Sequence, residues 1–375
     1  MRGYEEFPKK FIARFFKINK RTVFSKQKIG QVSELVKALD FVDEKKKPEI
    51  LFKKDSTHVY LFLEKNEISS FDGLVGFATR EKELTLTGNI DLRLNNIFDS
   101  GEVLTLLWNK VAKEKSEFEL GATIPYVFNS LITTEASFDL YRQDSTFLNA
   151  KFDFKTVCDL NHRSSLAIFY SSEKSNYLPQ STQNNFDSYS NHFLGLEYRL
   201  LRSSKRNIFR NKYQVNFNML AGKRKTASNE EKQYIFNLSS FVNIKANQKS
   251  YIHINGSGSF LSSKSFLSNE LFRIGGVRSV RGFDEQSIFT SLYSYVNFEY
   301  RYFLSSESFL YSITDLGIFK NINLSNFESL LGLGVGCEFQ LDSARVNLSY
   351  AIGKKLSHEE KNNPSKLVLK LTSFF

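Results

Sequence analysis

Apolar and polar residues alternate from about Phe71 to the end of the chain. In the segment 84–95, apolar or small residues at even positions alternate with polar residues at odd positions. A strand places successive side chains on opposite faces, so this segment has one apolar and one polar face. The same rhythm recurs in segments that begin at Tyr213, Val296 and Val346. The pattern predicts β-strands over most of the chain.

The predicted strands are long, and the connections between them differ in length. Each strand spans about 10 to 14 residues, whereas soluble sheets usually have strands of about 5–6 residues and a tilted membrane-spanning strand needs about 9–11. Short polar breaks such as 99–101 contrast with longer polar segments near 172–190, 222–232 and 263–286. This contrast is typical of an outer-membrane barrel. We expect about 16 antiparallel strands, and 14 would also fit.

Residues 1–66 follow another pattern and predict a small α+β domain in front of the barrel, which we assign to residues 67–375. Pro8 to Phe16 is predicted as a short helix with proline in its first turn. Ser25 is expected to cap a second helix, whose apolar residues recur with a 3.6-residue period. Pro48 is expected to mark a break.

Two short strands are predicted after this break, one from Glu49 to Lys53 and one from His58 to Glu64. The turn between them contains Asp55, a residue type that favours turns. The order helix, helix, strand, strand therefore describes the N-terminal domain.

Composition supports a β-rich membrane protein. Aromatic residues make up 15% of the chain, with 37 Phe, 17 Tyr and only 5 Pro, and strands favour aromatic residues. The mean hydropathy of −0.32 is compatible with a barrel because every second residue of a membrane strand is polar. No run of about 18 apolar residues predicts a membrane helix. A soluble β-sandwich or propeller would also alternate, but it predicts shorter strands and more Gly/Pro turns.

Basic residues are concentrated near the N-terminus. The formal charge is +11, and residues 1–65 hold 16 Lys/Arg against 9 Asp/Glu, which leaves +4 for the rest. A basic segment could bind nucleic acid, an anionic membrane surface or an acidic partner. No recognition helix or base-stacking motif accompanies this charge, so we expect no nucleic-acid partner.

Signatures of enzymes and metal sites are missing from the sequence. The five histidines have no metal-binding spacing, and there is no Gly-x-Ser-x-Gly motif. The run 332–337 lacks the third glycine of a dinucleotide loop. Cys158 and Cys337 are interpreted as buried or lipid-facing residues, with little support for a disulfide. We expect no enzymatic activity, no cofactor and no metal.

The last residues support a barrel strand, and the first residues bear on export. Leu367, Leu369 and Leu371 share a strand face with the terminal Phe375, and an aromatic residue there fits the interfacial girdle of a barrel. The first residues lack the apolar stretch of a secretion signal. Because an outer-membrane protein must be exported, we expect that the start at Met1 is misassigned or truncated.

One segment carries a resemblance to a known family. Gly275-Gly276 and Val280-Arg281-Gly282-Phe283 resemble the lumen-loop motif of the BamA/TamA-like outer-membrane assembly factors (the bacterial surface antigen family), which include two-partner secretion translocators. Strand motifs around Glu299 and Asp315 and the terminal Phe375 follow in the family's order. Residues 1–66 resemble a POTRA domain, a periplasmic substrate-docking module, so the resemblance covers nearly the whole chain.

The resemblance implies that the loop folds into the barrel lumen and that its arginine contacts inward-facing acidic residues. The residues agree with this, since an arginine can bind a carboxylate through two parallel hydrogen bonds. By the two-residue period Glu299 faces the lumen, and Asp315 can do so from the next strand. Arg281 is therefore expected to bridge Glu299 and Asp315. The alternative is that Arg281 is an ordinary surface-loop residue.

A second candidate site is the seam between the first and last barrel strands. Gly73 and Gly76 weaken the interior of the first strand, and Phe375 ends the last. A weak seam could offer unpaired backbone to an incoming strand, which is the insertion mechanism that the resemblance implies. Alternatively, the glycines only relieve crowding in a curved strand.

The N-terminal domain departs from the family pattern. A POTRA domain normally begins with a strand, and only Gly3-Tyr4 stand where the end of that strand should be. Members of the family also carry one to several complete POTRA domains. We therefore expect this domain to be incomplete.

These observations predict a factor that inserts proteins into the bacterial outer membrane. Its expected partners are the lipid bilayer, unfolded outer-membrane protein clients, and periplasmic or lipoprotein subunits. The alternatives are a secretion translocator of the two-partner type, a passive porin-like channel, and a soluble β-protein.

Overall fold

The structure is a computed structural model of the 375-residue chain. It describes residues 2–18, 23, 25–36, 39, 41–54, 56–66, 68–80, 83–112, 115–143, 146–178, 185–203, 211–322, 326–356 and 365–375. Within these ranges the side chains of 74–80, 83–87, 111, 112 and 203 are not described. Asp55 of the predicted turn and His358, one of the five histidines, lie outside the described residues.

The N-terminal unit contains two helices and a two-stranded antiparallel sheet. Its elements are α1 Lys9–Arg14, α2 Lys26–Val36, β1 Val42–Phe52 and β2 Thr57–Lys65. Val32, Leu35 and Val36 lie on the buried side of α2, as their spacing predicts, and pack with Leu63 of β2. Arg2 forms a parallel bridge to β2, with the Arg2 N–H donating to Leu61 O at 2.9 Å.

Our expectation that Pro48 marks a break was wrong. Pro48 lies inside β1, which begins at Val42 rather than at Glu49. The pairing of β1 with β2 is irregular between Lys46 and Glu49. Because proline has no N–H to donate to a sheet, such an irregularity is where a strand tolerates it.

The rest of the chain forms a closed antiparallel barrel of sixteen strands in the described residues. In chain order these are β3 Ser70–Arg80, β4 Glu83–Asn95, β5 Val103–Ala112, β6 Lys115–Ile124, β7 Ile132–Gln143, β8 Phe147–Asn161, β9 Ser164–Tyr177, β10 Tyr189–Ser203, β11 Asn211–Thr226, β12 Glu230–Lys245, β13 Ser250–Ser262, β16 Leu292–Phe303, β17 Phe309–Lys320, β18 Phe327–Gln340, β19 Ala344–Lys355 and β20 Ser365–Phe374. Between β13 and β16 lies a short pair, β14 Phe272–Ile274 and β15 Ile288–Thr290. The predicted fold class is confirmed.

The two ends of the barrel differ in their surroundings. Connections 96–102 and 125–131 contact the N-terminal unit, and we call this the proximal end. The longest described connection, 263–291, leaves from the distal end. We expected another long polar loop at 222–232, but these residues form the ends of β11 and β12 around a turn at 227–229.

Large apolar side chains cover the outside of the barrel. Leu367 and Leu369 of β20 are each 69% exposed, and Leu371 is 53% exposed. A water-soluble protein would not leave such a continuous surface uncovered, whereas a membrane barrel presents it to lipid. Cys158 and Cys337, which are both free, lie on strand positions with this outward orientation. Among the described helices, none has the length and apolar character needed to cross a membrane.

Polar and aromatic contacts join the N-terminal unit to the proximal end. The Tyr4 hydroxyl donates to Asp99 at 2.5 Å, and the Lys10 ammonium donates to Pro125 O at 2.7 Å. The Phe11 ring packs edge-on against Tyr126, with ring centroids 5.0 Å apart. The bond from Tyr4 is the main cause that lowers the pKa of Asp99 below its ordinary value. The unit is therefore held against the barrel in a defined orientation.

We predict that Phe11→Ala loosens the N-terminal unit without unfolding the barrel. Phe11 is 4% exposed in the unit's core, and a buried Phe→Ala change typically costs about 3–5 kcal/mol. Tryptic cleavage within residues 1–66 should accelerate, while the heat-dependent gel mobility of the barrel stays unchanged. Phe52→Ala is the matched control because Phe52 is 64% exposed. Equal cleavage rates in the two variants would contradict this packing role.

Candidate functional site

The connection 263–291, here called the lumen loop, folds back against the inner wall of the barrel. Its two arms pair as β14 and β15, with Phe272 opposite Thr290 and Ile274 opposite Ile288. The tip, residues 275–287, continues beyond this pair. Gly275, Gly276 and Gly282 have φ of +107°, +93° and +95°. These left-handed values explain why glycine occupies the bends of the tip.

Arg281 lies between two carboxylates on adjacent strands. Its Nε and Nη2 donate to the two oxygens of Asp315 at 2.8 and 2.7 Å, and its backbone N–H also donates to Asp315 at 2.8 Å. Its Nη1 donates to Glu299 at 2.5 Å. Glu299 also binds Arg301 at 2.7 Å. Asp315 is fully buried, so Arg281 is its charge partner inside the barrel.

Apolar residues of the tip support this ion pair. Val280 is fully buried, and Phe283 is 5% exposed. Both pack in one cluster, which also contains Ile274 of β14, Tyr295, Phe319 and Leu330. Burial of side chains of this size contributes roughly 1.5–3 kcal/mol each. The tip therefore binds the wall through both charge and apolar contact.

Glycines on three neighbouring strands make room for the tip. A Cβ added to Gly317 would lie 2.9 Å from Val280, and one added to Gly332 would overlap the carbonyl oxygen of Arg281. A Cβ on Gly353 would lie 2.9 Å from the Phe283 ring. The wall thus permits an approach that any larger residue would prevent. Sequence reasoning missed Gly332 and Gly353, although Gly332 shares the two-residue phase of inward-facing Glu328 and Glu338.

The base of the lumen loop has its own buried ion cluster, formed by Arg224, Glu231 and Glu270. The Arg224 guanidinium contacts Glu270 and lies 3.0 Å from Glu231. Glu231 accepts hydrogen bonds from Ser263 at 3.1 Å and from Ser265 at 2.8 Å. The Arg224 and Glu270 side chains are only 4% and 3% exposed. Sequence reasoning missed this cluster because Arg224 lies in a segment that we interpreted as a surface loop.

Other contacts carry the loop across the lumen to β6, β7 and β20. Arg278 lies 3.7 Å from Glu117 and from Glu119, and the Arg273 guanidinium stacks 3.5 Å from the Tyr141 ring centroid. Arg278 remains 52% exposed beside these carboxylates, whereas Arg273 is stacked on an aromatic ring of the inner wall. Lys366 of β20 lies 2.5 Å from Asp284.

The seam joins β20 to β3 over a short stretch. Three residue pairs connect the two strands, Thr372 with Asp72, Ser373 with Phe71 and Phe374 with Ser70. The N–H of Phe375 extends this end of the seam by donating to Ser69 O at 3.0 Å. By comparison, β19 and β20 pair continuously from Ala344–Ser373 to Ile352–Ser365.

Side chains add to the few backbone bonds at the seam. The Lys370 ammonium lies 3.1 Å from Asp72 and 3.7 Å from Asp91. A Cβ on Gly73 would lie 2.6 Å from the Phe71 ring, so the glycine accommodates that aromatic residue. Gly76 pairs with Thr87 of β4 and lies beyond the paired part of the seam.

Comparisons with known proteins find one matching family model and several solved structures of the same fold. A family model described as haemolysin secretion/activation protein ShlB/FhaC/HecB matches residues 183–339. BamA from Haemophilus ducreyi lacking POTRA domains 1–3 has a TM-score of 0.60 at 13% identity, covering 100% of this chain and 83% of that chain. No curated protein matches the chain in sequence.

Two CdiB structures share the same fold. CdiB from Acinetobacter baumannii has a TM-score of 0.66 at 15% identity, covering 98% of this chain and 72% of that chain. CdiB from Escherichia coli has a TM-score of 0.63 at 14% identity, covering 99% and 74%. At such identities the likeness shows the fold, a sixteen-stranded barrel with a small N-terminal α/β segment.

We predict that Arg281→Ala releases the tip from the wall. The change leaves Asp315 buried without its charge partner, a loss of about 3–5 kcal/mol in a dry interior and less in a hydrated lumen. Conductance of the purified barrel in planar bilayers should rise, with more frequent open events. Arg278→Ala removes an arginine of the same tip that is 52% exposed, and it should have a smaller effect. A large conductance that Arg281→Ala leaves unchanged would instead favour a passive porin.

We also predict that Gly332→Ala displaces the tip from the wall. The added methyl group would overlap the backbone of Arg281, so the tip must move away. Trypsin should then cleave after Arg281 in the folded protein, whereas we expect protection in the wild type because the Arg281 side chain is only 13% exposed. Gly256→Ala is the matched control, because a Cβ at this wall position has no neighbour closer than 3.5 Å. Protection of Arg281 in the Gly332 variant would contradict close contact.

Proposed function

We propose that this chain is an integral outer-membrane protein that inserts client proteins into the bacterial outer membrane through its seam. The fold shared with BamA and CdiB supports a role in handling protein clients. The short pairing of β20 with β3 supports the seam as the place where it occurs. Lumen-loop contacts at Arg281, Glu299 and Asp315 would hold the barrel in one state between insertion events.

The unpaired part of the seam is the observation that carries this proposal. The backbone of residues 365–371 of β20 and of 73–80 of β3 is described, and no strand pairing joins these two segments. Each unsatisfied backbone group in a bilayer costs several kcal/mol. An incoming client strand would satisfy these groups by β-augmentation. Leu367 and Leu369 would offer the arriving strand an apolar neighbour that already faces lipid.

We infer that residues 1–66 act as a POTRA-like unit on the periplasmic side. They contact the proximal connections through Tyr4, Lys10 and Phe11, so a client held by this unit would lie next to the barrel. The proximal seam residues Phe374 and Phe375 lie at this same end. Periplasmic or lipoprotein subunits would bind here as well.

Secretion through the lumen is the second candidate function, and the family match over residues 183–339 favours it. The lumen loop crosses the interior and leaves beside it a cavity of about 390 Å³, lined in part by Lys151, Phe169 and Phe193. An unfolded polypeptide would therefore need the tip to leave the wall before it could pass. Insertion at the seam has no such requirement.

A disulfide across the seam should separate the two functions. We expect that Phe71→Cys with Ser373→Cys, in a background with both native cysteines changed to Ser, blocks client insertion when oxidised. The two positions are direct antiparallel partners, and such pairs lie within reach of a disulfide. Insertion of a client barrel into proteoliposomes is the measurement, and reduction should restore it.

The matched control places the disulfide between two strands that are already fully paired. Ser349→Cys with Val368→Cys joins direct partners on β19 and β20, so oxidation should leave insertion unchanged. If the oxidised seam variant inserts clients normally, the seam proposal is wrong. If it instead exports a soluble client through the lumen, the secretion function is favoured.

A further inference from the structure

Four lysines lie on the outer face of β9, β11 and β12 at the distal end of the barrel. We call Lys174, Lys223, Lys225 and Lys232 the distal lysine patch; all four are exposed. Their strand neighbours, such as Arg224 and Glu231, are buried on the inner face. By the two-residue period of a strand, the lysines therefore point outward.

The register brings these charges close together. Lys223 is the direct cross-strand partner of Lys232. Lys174 and Lys225 flank Ser190 of β10 as its partners on either side. Like charges placed directly opposite each other destabilise a sheet. Repulsion between these lysines therefore destabilises the sheet locally, and a bound anion would reduce that repulsion.

The patch lies at the border of the lipid-facing surface. On β11 the outward positions from Tyr213 to Ala221 are apolar, and Lys223 is the next outward position. Two residues of strand correspond to roughly 7 Å, so the ammonium groups stand just beyond the hydrocarbon-facing band. Tyr170 and Tyr234 occupy outward positions between the lysines and the apolar residues nearer the middle of β9 and β12, as expected at a membrane interface.

The outer face is basic at the distal end of other strands too. Lys110, Arg142, Lys320 and Lys354 hold outward positions near this end. Among the outward strand positions whose side chains are described there, Glu230 is the acidic one, and Lys223 neutralises it at 2.6 Å. A rim of one charge sign attracts the opposite sign through its summed field.

We propose that the distal lysine patch binds the phosphate groups of anionic lipid head groups in the leaflet that surrounds the distal end. Three features argue for lipid rather than for a protein partner. The charges lie immediately beyond an apolar band, they face sideways toward the bilayer, and they continue around the rim. The proposal rests on the proposed outer-membrane location with residues 1–66 on the periplasmic side, and it is independent of the client that the barrel handles.

The test compares two triple variants of the full chain. Lys174→Gln, Lys225→Gln and Lys232→Gln remove three of the four patch lysines and keep the Lys223–Glu230 pair. Lys47→Gln, Lys53→Gln and Lys249→Gln remove the same charge from exposed positions in the N-terminal unit and in a proximal turn. Native mass spectrometry in detergent would follow binding of bis-phosphorylated lipid A, with the enzymatically dephosphorylated lipid as a second probe.

We expect the patch variant to bind the phosphorylated lipid about tenfold more weakly, since each basic residue near an anionic surface adds to the binding free energy. The control variant should bind like wild type, and wild-type binding should weaken as salt rises. Circular dichroism and heat-dependent gel mobility would establish that both variants fold. Equal binding of the dephosphorylated lipid, or of the patch variant, would overturn the proposal. Binding of inorganic phosphate with the same affinity would show that the lipid itself is not recognised.

Discussion

The ion pair between Arg281 and buried Asp315 is the interaction on which the interior of this barrel depends. A fully buried carboxylate is unfavourable unless it is paired and hydrogen-bonded. Asp315 meets this requirement only because the lumen loop brings an arginine from a segment 34 residues away. Glycines at 317, 332 and 353 leave the space on the wall that the tip of the loop occupies. The loop and the wall are therefore complementary: the loop supplies the positive charge that pairs with Asp315, and the wall glycines leave space for the tip.

The lumen loop is held at two charge clusters, and this arrangement limits how it can move. Arg224, Glu231 and Glu270 bind the base of the loop to β11 and β12. Arg281 binds the tip to β16 and β17. Between the two clusters lie Gly275 and Gly276, whose backbone conformation only glycine adopts readily. Movement of the tip about these residues would leave the base in place.

The seam follows from a different constraint, which is that a bilayer offers no hydrogen bonds to an exposed strand edge. Fifteen of the sixteen barrel junctions meet this constraint with long ladders, and the junction of β20 with β3 meets it with three residue pairs. Lys370, Asp72 and the N–H of Phe375 reinforce this short junction at one end. Asp284 of the tip also reaches Lys366 of β20. The loop and the seam are thus in physical contact through one strand.

The barrel could be predicted from local patterns of residues, because the orientation of each side chain in a strand depends only on its position in a two-residue period. That local rule predicted about 16 strands, with 14 as the alternative, and the inward orientation of Glu299. Local propensity gave the wrong prediction at Pro48, which lies inside β1. The pairing of β1 with β2 is irregular at that point, so the strand tolerates a residue without a backbone N–H.

Contacts between distant segments were decided by the tertiary structure. The pairing of Arg281 with Glu299 and Asp315 was expected because the family resemblance brought the loop into the lumen and the two-residue period turned the carboxylates toward it. The contacts of Arg224 with Glu270 and of Gly332 with Arg281 were not predicted. The partners are 46 and 51 residues apart in the chain, and the two-residue period does not indicate which distant residues meet. The length of the seam was equally hidden, since it depends on how sixteen strands close around a filled lumen. The two-residue period determines which face of the barrel wall a side chain lies on. Only closure of the barrel determines which residues it contacts on that face.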